Sequence, residues 1–247
     1  MEWIYGRNVV KMALAAGARR RPYRLAATPP ALKSLREELP PGLPVDTVAA
    51  HEPDDLTGSR DHQGAALQVD PFGYARPESV LEADVVVVLD EVSDPRNLGA
   101  VARSALAAGA GGLVVPKHRS ASVTPAAVKA SAGTIEHLPV AQVTNTVSLL
   151  KAAKDAGFWV YGAAGGVATS YLQLDLTGRV LLVFGAEDRG LRPLVAKTCD
   201  TLASIPMETA VESLNVSVAA ALFLFEARRQ RAAAADGASG SRSGAGR

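Results

Sequence analysis

Cysteine is almost missing: the 247-residue chain has one, Cys199. That excludes an intrachain disulfide and suits a reducing compartment, so a cytoplasmic location is expected. It also removes multi-cysteine zinc sites. His51 and His62 stand at no metal-ligand spacing from a cysteine or another histidine, so no metal is expected and both read as ordinary polar residues. Cys199, in Lys197-Thr198-Cys199-Asp200, reads as a buried spare thiol rather than a nucleophile. Long apolar runs are missing too. No stretch approaches ~18 uninterrupted apolar residues, so no membrane span is expected. Met1 to Gly6 lacks the charged-then-apolar layout of a signal peptide. An excess of one charge is also absent, the net charge being +1. A broadly basic nucleic-acid coat is therefore excluded, while a local basic patch is not. What remains, 48% apolar and 21% charged residues, is the balance of a soluble globular chain of one or two domains.

The first 70 residues alternate short helix and strand signals. Arg7 to Ala16 is helix-like and stops at Gly17, and Ala31 to Leu39 stops at Pro40-Pro41. Arg24 to Ala27, Val45 to Val48 and Ala65 to Val69 are strand candidates. Positions 7–24 carry Arg7, Lys11, Arg19, Arg20, Arg21 and Arg24 with no acid between them. Such a segment is either a solvated face or a phosphate-binding patch. Residues 71–83, with Pro71, Gly73 and Pro77, read as a linker.

From residue 84 the pattern becomes strand-then-helix. Val85 to Leu89 is a continuous β-branched run, as expected of a strand covered on both faces of a parallel sheet. Further strands are expected at 113–115, 158–161, 180–184 and 202–205, and helices at 98–108, 124–131, 144–156 and 214–230. This is an α/β domain with a mostly parallel sheet. Residues 232–247 are Ala, Gly, Ser and Arg with one acid, and are expected to be disordered.

Three loops at strand ends concentrate polar groups where open α/β sheets bind ligands. The first holds Asn97, placed to cap a helix, and Arg103. Gly99 between them costs helix propensity, which points to a close neighbour. The second is Gly185-Ala186-Glu187-Asp188-Arg189-Gly190-Leu191, which is neither a dinucleotide fingerprint nor a P-loop. A nicotinamide enzyme is disfavoured for that reason. The third is Ser213-Leu214-Asn215-Val216-Ser217, where Ser213 is a reasonable N-cap for the apolar helix that follows.

Together and in this order, the three loops resemble the signature motifs of the SpoU/TrmH family of RNA ribose 2′-O-methyltransferases. Similarity continues through Lys129-Ala130-Ser131-Ala132-Gly133 and Glu136-His137-Leu138-Pro139-Val140. Tyr5-Gly6-Arg7-Asn8-Val9-Val10 and His62-Gln63-Gly64 are similar to the small RNA-binding domain of the RlmB branch. Two positions depart from the pattern. Asp188 stands where glycine is frequent, and Glu208-Thr209-Ala210 follows Met207 where a glycine is usual.

The resemblance implies a SPOUT-type, trefoil-knotted, parallel-sheet methyltransferase domain over 84–231, preceded by a small α/β RNA-binding domain over 1–70. It implies S-adenosylmethionine as cofactor, RNA as partner and a homodimer. Ala163, Gly185, Ile205 and Leu214 are the implied cofactor contacts. Arg103, Asn97, Ser213, Asn215 and Glu187 are the implied catalytic set. Arg7, Arg19, Arg20, Arg21, His62 and Gln63 are the candidate RNA contacts. The resemblance implies Arg103 as the group that activates the hydroxyl, as a base; because arginine holds its proton at neutral pH, a cation that orients a phosphate is the other role open to it. The expected substrate is a guanosine of 23S rRNA. A tRNA ribose, an rRNA adenosine as in thiostrepton resistance, and a non-catalytic rRNA-binding assembly role are the alternatives.

Overall fold

A computed structural model describes residues 1–208 and 213–240. In chain order the elements are β1 (Glu2–Tyr5), α1 (Arg7–Leu14), β2 (Pro22–Ala27), α2 (Pro29–Leu35), β3 (Val45–Thr47), α3 (Glu52–Thr57), β4 (Ala65–Val69), α4 (Pro77–Val80), β5 (Val85–Asp90), α5 (Pro95–Ala108), β6 (Gly112–Pro116), α6 (Pro125–Ala130), β7 (Val140–Val143), α7 (Thr146–Asp155), β8 (Trp159–Ala163), β9 (Val180–Gly185), α8 (Pro193–Thr198), β10 (Thr201–Ala203) and α9 (Val216–Gly240). They form two compact units. The first holds Met1–Tyr74, Asp94–Arg103 and Ala121–Leu138. The second holds Ala75–Ser93, Ser104–Ser120 and the chain from Pro139 onward.

The first unit is a mixed sheet of order β1-β4-β2-β3. β4 runs antiparallel to β1 and β2, and β3 runs parallel to β2. Ile4, Leu25, Leu35 and Leu67 are fully buried in it. α6 starts on Thr124, whose hydroxyl accepts from the Ala127 N–H. Gly99 of α5 faces the Ala127 carbonyl and the Ala130 methyl, so a side chain there would strike α6 backbone. The close neighbour expected at Gly99 is therefore α6.

One expectation is corrected in this unit. Arg20, grouped with the RNA-facing arginines, is buried. Its guanidinium pairs with Glu136, which has no exposure, and with Glu2. A buried guanidinium needs such partners because desolvating the charge is costly. Arg19 and Arg21 on either side are exposed. Lys129, half-buried, lies over the Tyr5 ring at 6.0 Å, and burial lowers its pKa.

The second unit is a six-stranded sheet, β10-β8-β9-β5-β6-β7, with every neighbouring pair parallel. The alternate residues Val86, Val88, Val114, Val160, Leu181 and Val183 form one buried cluster with Leu150 of α7. Each such side chain contributes ~1.5–3 kcal/mol by leaving water. The segment 71–83, which carries no periodicity, contains α4. Val80 of α4 is fully buried against Gly112. Four residues are too few to show a helical period, which is why the sequence hides this element.

The end of the chain also differs from expectation. α9 continues to Gly240, past the expected end at 230. The alanines at 232–235 are strong helix formers. The segment expected to be disordered begins inside this helix, and its last seven residues, 241–247, lie outside the described residues. Among the described residues no helix is long and apolar enough to cross a membrane.

Candidate functional site

Parallel strands deliver their carboxyl ends to one edge, so the loops after β8, β9 and β10 gather there. Together with the start of α9 they line a cavity of about 540 Å³, a size typical of small-molecule sites. Ala163, Gly165 and Gly166 come from the end of β8 and the loop after it, and Gly185, Ala186, Glu187 and Gly190 from the end of β9 and the loop after it. Ile205, Ser213, Leu214 and Val216 come from the chain between β10 and α9. Phe184 and Phe223 close the floor, edge to face at 5.5 Å. Ile205 and Leu214 are half-buried, with surface left to the cavity. Core packing alone would have hidden them.

The loop after β9 is closed on itself. Ala186 N donates to Gly190 O at 3.1 Å, and Gly190 N returns to Ala186 O at 2.8 Å. Gly190 has φ +64, and a Cβ at Gly185 would overlap the Gly190 carbonyl group. So Gly185 lacks a side chain because its own loop occupies that space.

Asn215 joins two of the loops. Its Nδ2 donates to Glu187 Oε1 at 2.6 Å. Its Oδ1 accepts from Ser217 N at 2.9 Å and from the Ser217 hydroxyl at 2.6 Å. That places Asn215, not Ser213, at the N-cap of α9. Ser213 is exposed and lines the cavity. A similar correction applies to α5. Asp94 caps it, its Oδ1 accepting from Arg96 N at 2.8 Å and its carbonyl from Leu98 N at 3.1 Å. Hydrogen bonds from the Arg96 side chain hold the Asp94 pKa below its ordinary value. Asn97 lies in the first turn of the helix, half-buried, and Arg103 is exposed two turns on. Both belong to the first unit.

The remaining candidates also lie in the first unit. Gln63, at φ +54, accepts the Arg7 backbone N–H on Oε1 at 3.1 Å and the Arg7 Nε on its carbonyl at 3.0 Å. His62, grouped with the RNA contacts, is instead buried and held internally, with Nε2 2.7 Å from Asp54 Oδ1 and Nδ1 accepting from Gly64 N at 2.8 Å. Arg21 stacks on the Tyr23 ring at 5.2 Å. The departure at Thr209 and Ala210 lies outside the described residues.

Sequence reasoning missed an acidic pair at the end of β5. Asp90 has no exposure, and Arg192 donates to it from the backbone N at 3.1 Å and from Nε at 2.9 Å. That bonding, with the nearby Glu91 charge, raises the Arg192 pKa. The signal was available: an aspartate ending a fully apolar strand needs a partner.

Residues 84–225 match the family model described as the SpoU rRNA Methylase family. The chain belongs to the SpoU family. A relative from Mycobacterium ulcerans, named an uncharacterized tRNA/rRNA methyltransferase, is 41% identical over 240 residues, covering 93% of this chain and 77% of the relative. Among solved structures, the SpoU methyltransferase AviRb of Streptomyces viridochromogenes in complex with AdoMet aligns with a TM-score of 0.77 and 26% identity, over 93% of this chain and 90% of that one. An RNA 2′-O ribose methyltransferase aligns with a TM-score of 0.76 and 25% identity, over 93% and 88%. The SpoU match spans β5 to most of α9's apolar part, and so includes every loop of the cavity.

Proposed function

We propose that this SpoU-family RNA methyltransferase methylates a ribose 2′-hydroxyl of RNA, with a guanosine of 23S rRNA as substrate. The observation that carries the reading is the cavity. Three strand-end loops surround it, and the Glu187–Asn215 hydrogen bond ties two of them. The likeness to a ribose 2′-O-methyltransferase supports the position of transfer.

The cofactor is S-adenosylmethionine, which supplies an electrophilic methyl group on a sulfonium. The cavity fits such a molecule in size and chemistry: small residues and backbone groups on one side, Ile205, Leu214 and Phe223 on the other. Ala163, Gly185, Ile205 and Leu214 hold it. Ser213 and Asn215 orient polar groups, and Glu187 fixes the loop through Asn215. Asn97 positions the ribose, and Arg103, as a cation, holds the target phosphate and stabilises charge developing on the 2′-oxygen. Residues 1–70 serve as the RNA-binding domain, with Arg7, Arg19, Arg21 and Gln63 as contacts. The domain at 84–231 carries the knot at its carboxyl end. The setting is the cytoplasm.

The homodimer belongs to this reading. Val218, Leu222 and Phe225 are exposed at a spacing of four and three along α9, forming an apolar stripe beside Tyr171. A second copy of the chain covers it. Phe225→Glu is then expected to give a monomer in sedimentation, and an unchanged dimer overturns this face as the interface.

The deciding experiment is transfer of labelled methyl to separate pools of 23S rRNA, 16S rRNA and tRNA, with the nucleotide mapped. Label at one 23S guanosine ribose is expected. Label on tRNA keeps the chemistry and overturns the substrate. Absence of cofactor binding in calorimetry overturns the reading in favour of an RNA-binding assembly role.

A further inference from the structure

Glu91 follows β5 directly and is buried, yet its backbone lies at φ +61, a region that residues with a side chain rarely occupy. Its carboxylate faces three guanidinium groups of the second unit: Arg192 at 3.6 Å, Arg119 at 3.8 Å and Arg189 at 4.0 Å. Arg192 is already held by Asp90. Glu91 is thus the buried carboxylate that Arg119 and Arg189 share. At these separations it makes ion pairs without hydrogen bonds. Glu91 therefore leaves the terminal Nη donors of both arginines to another acceptor, and their side chains are 82% and 69% exposed. Asp188 also contacts Arg189, at 3.2 Å, from an exposed position.

The two arginines sit on built loops. Arg119 has φ +57, and its loop is pinned by the Ser120 hydroxyl donating to Val92 O at 3.1 Å. Arg189 lies between Glu187 and Gly190, both of which line the cavity. The cluster therefore borders the cofactor cavity, where a substrate must present its reacting group.

We propose that Arg119 and Arg189 form a phosphate clamp for the RNA strand beside the target ribose, and that Glu91 is the positioning residue holding them together. Guanidinium groups suit phosphate oxygens because they offer paired, planar donors. Glu91, buried between them, sets their separation and stays out of reach of the RNA. This deepens the methyltransferase reading and rests on it for the identity of the ligand.

The test uses the full chain and a 23S rRNA transcript. Filter binding is measured over a salt series for wild type, the double variant Arg119→Ala/Arg189→Ala, and Glu91→Gln. Cofactor affinity is followed by calorimetry. The double variant is expected to bind RNA at least tenfold more weakly, and its salt slope to fall by about 1.4, at ~0.7 per single-strand phosphate contact. Its affinity for S-adenosylmethionine stays within twofold. Glu91→Gln separates positioning from charge. Removing an acid near a phosphate tightens RNA binding if charge alone matters, and weakens it if Glu91 aligns the pair. A wild-type salt slope in the double variant, or tighter binding by Glu91→Gln, overturns the proposal. Because RNA binding is read without turnover, a wild type that binds RNA but transfers no methyl group sinks the enzyme reading alone. A wild type that binds no RNA sinks both.

Discussion

Asn215 Nδ2 donates to Glu187 Oε1 across 28 positions of sequence, while the other end of the same amide caps α9. One side chain therefore starts the helix and latches the loop opposite. The two jobs can be separated. Asn215→Ser keeps a capping oxygen but cannot reach Glu187, and Asn215→Ala loses both. In thermal melts Asn215→Ala is expected to cost ~1 kcal/mol, the usual loss of a cap, and Asn215→Ser much less. In calorimetry both are expected to bind S-adenosylmethionine more weakly. Equal cofactor affinity for Asn215→Ser and wild type would show that the latch does not shape the cavity.

Gly185→Ala addresses the loop itself. The new methyl group meets the Gly190 carbonyl, and backbone cannot swing aside as a side chain can. Overpacking of this kind typically costs ~1–3 kcal/mol. Because the cost falls on a cavity wall, cofactor affinity is expected to drop at least tenfold while the far strands keep their hydrogen-exchange protection. Uniform loss of protection across the second unit would instead point to global unfolding.

Arg20 and its neighbours separate stability from RNA binding. Arg20→Ala leaves Glu136 buried without its cation, so a loss of roughly 3–5 kcal/mol in urea unfolding is expected. Arg19→Ala and Arg21→Ala, both exposed, are expected to leave the unfolding midpoint unchanged and to lower the salt slope of RNA binding. A stable Arg20→Ala protein with weakened RNA binding would reverse this assignment.

Burial pushes the Cys199 thiol up to about 12, Lys154 opposing the shift only in part. Thiolate is the reactive form. At pH 8, alkylation by iodoacetamide is therefore expected to run roughly three orders of magnitude slower than for a free thiol of pKa ~8.5. The rate should climb about tenfold per pH unit past pH 10. A rate that levels off near pH 9 would show an ordinary, solvated thiol.

The sequence made some of this legible, and for identifiable reasons. The run Val85 to Leu89 announced a strand covered on both faces, because only such a strand dispenses with alternation. The polar loops at strand ends led to Gly185, Glu187, Leu214 and Asn215, which the structure brings around one cavity or into contact with its wall. What stayed hidden was long-range or short. The partner of Arg20 is 116 positions away, and that of Asp90 is 102. No local pattern encodes such pairs. α4 holds four residues, below any readable period, whereas β10, only three residues long, was announced by its apolar run before Pro206. The caps expected at Ser213 and Asn97 lie two residues before and three residues after the observed ones, Asn215 and Asp94, because composition does not resolve where a helix starts to within a turn.

The pairing of β5 with β9 bears on how the chain is made. β5 is fully buried, and one of its edges is completed only by the register Val85↔Val180 through Asp90↔Gly185. During synthesis at ~5–20 residues per second, roughly ten seconds separate the emergence of these two strands. Through that interval the ribosome displays an unbroken valine run with an unmatched hydrogen-bonding edge, the kind of segment that holding chaperones protect. Folding of the second unit is thereby timed by its last third, and a truncation before Val180 would leave a nascent chain whose central strand has nowhere to go.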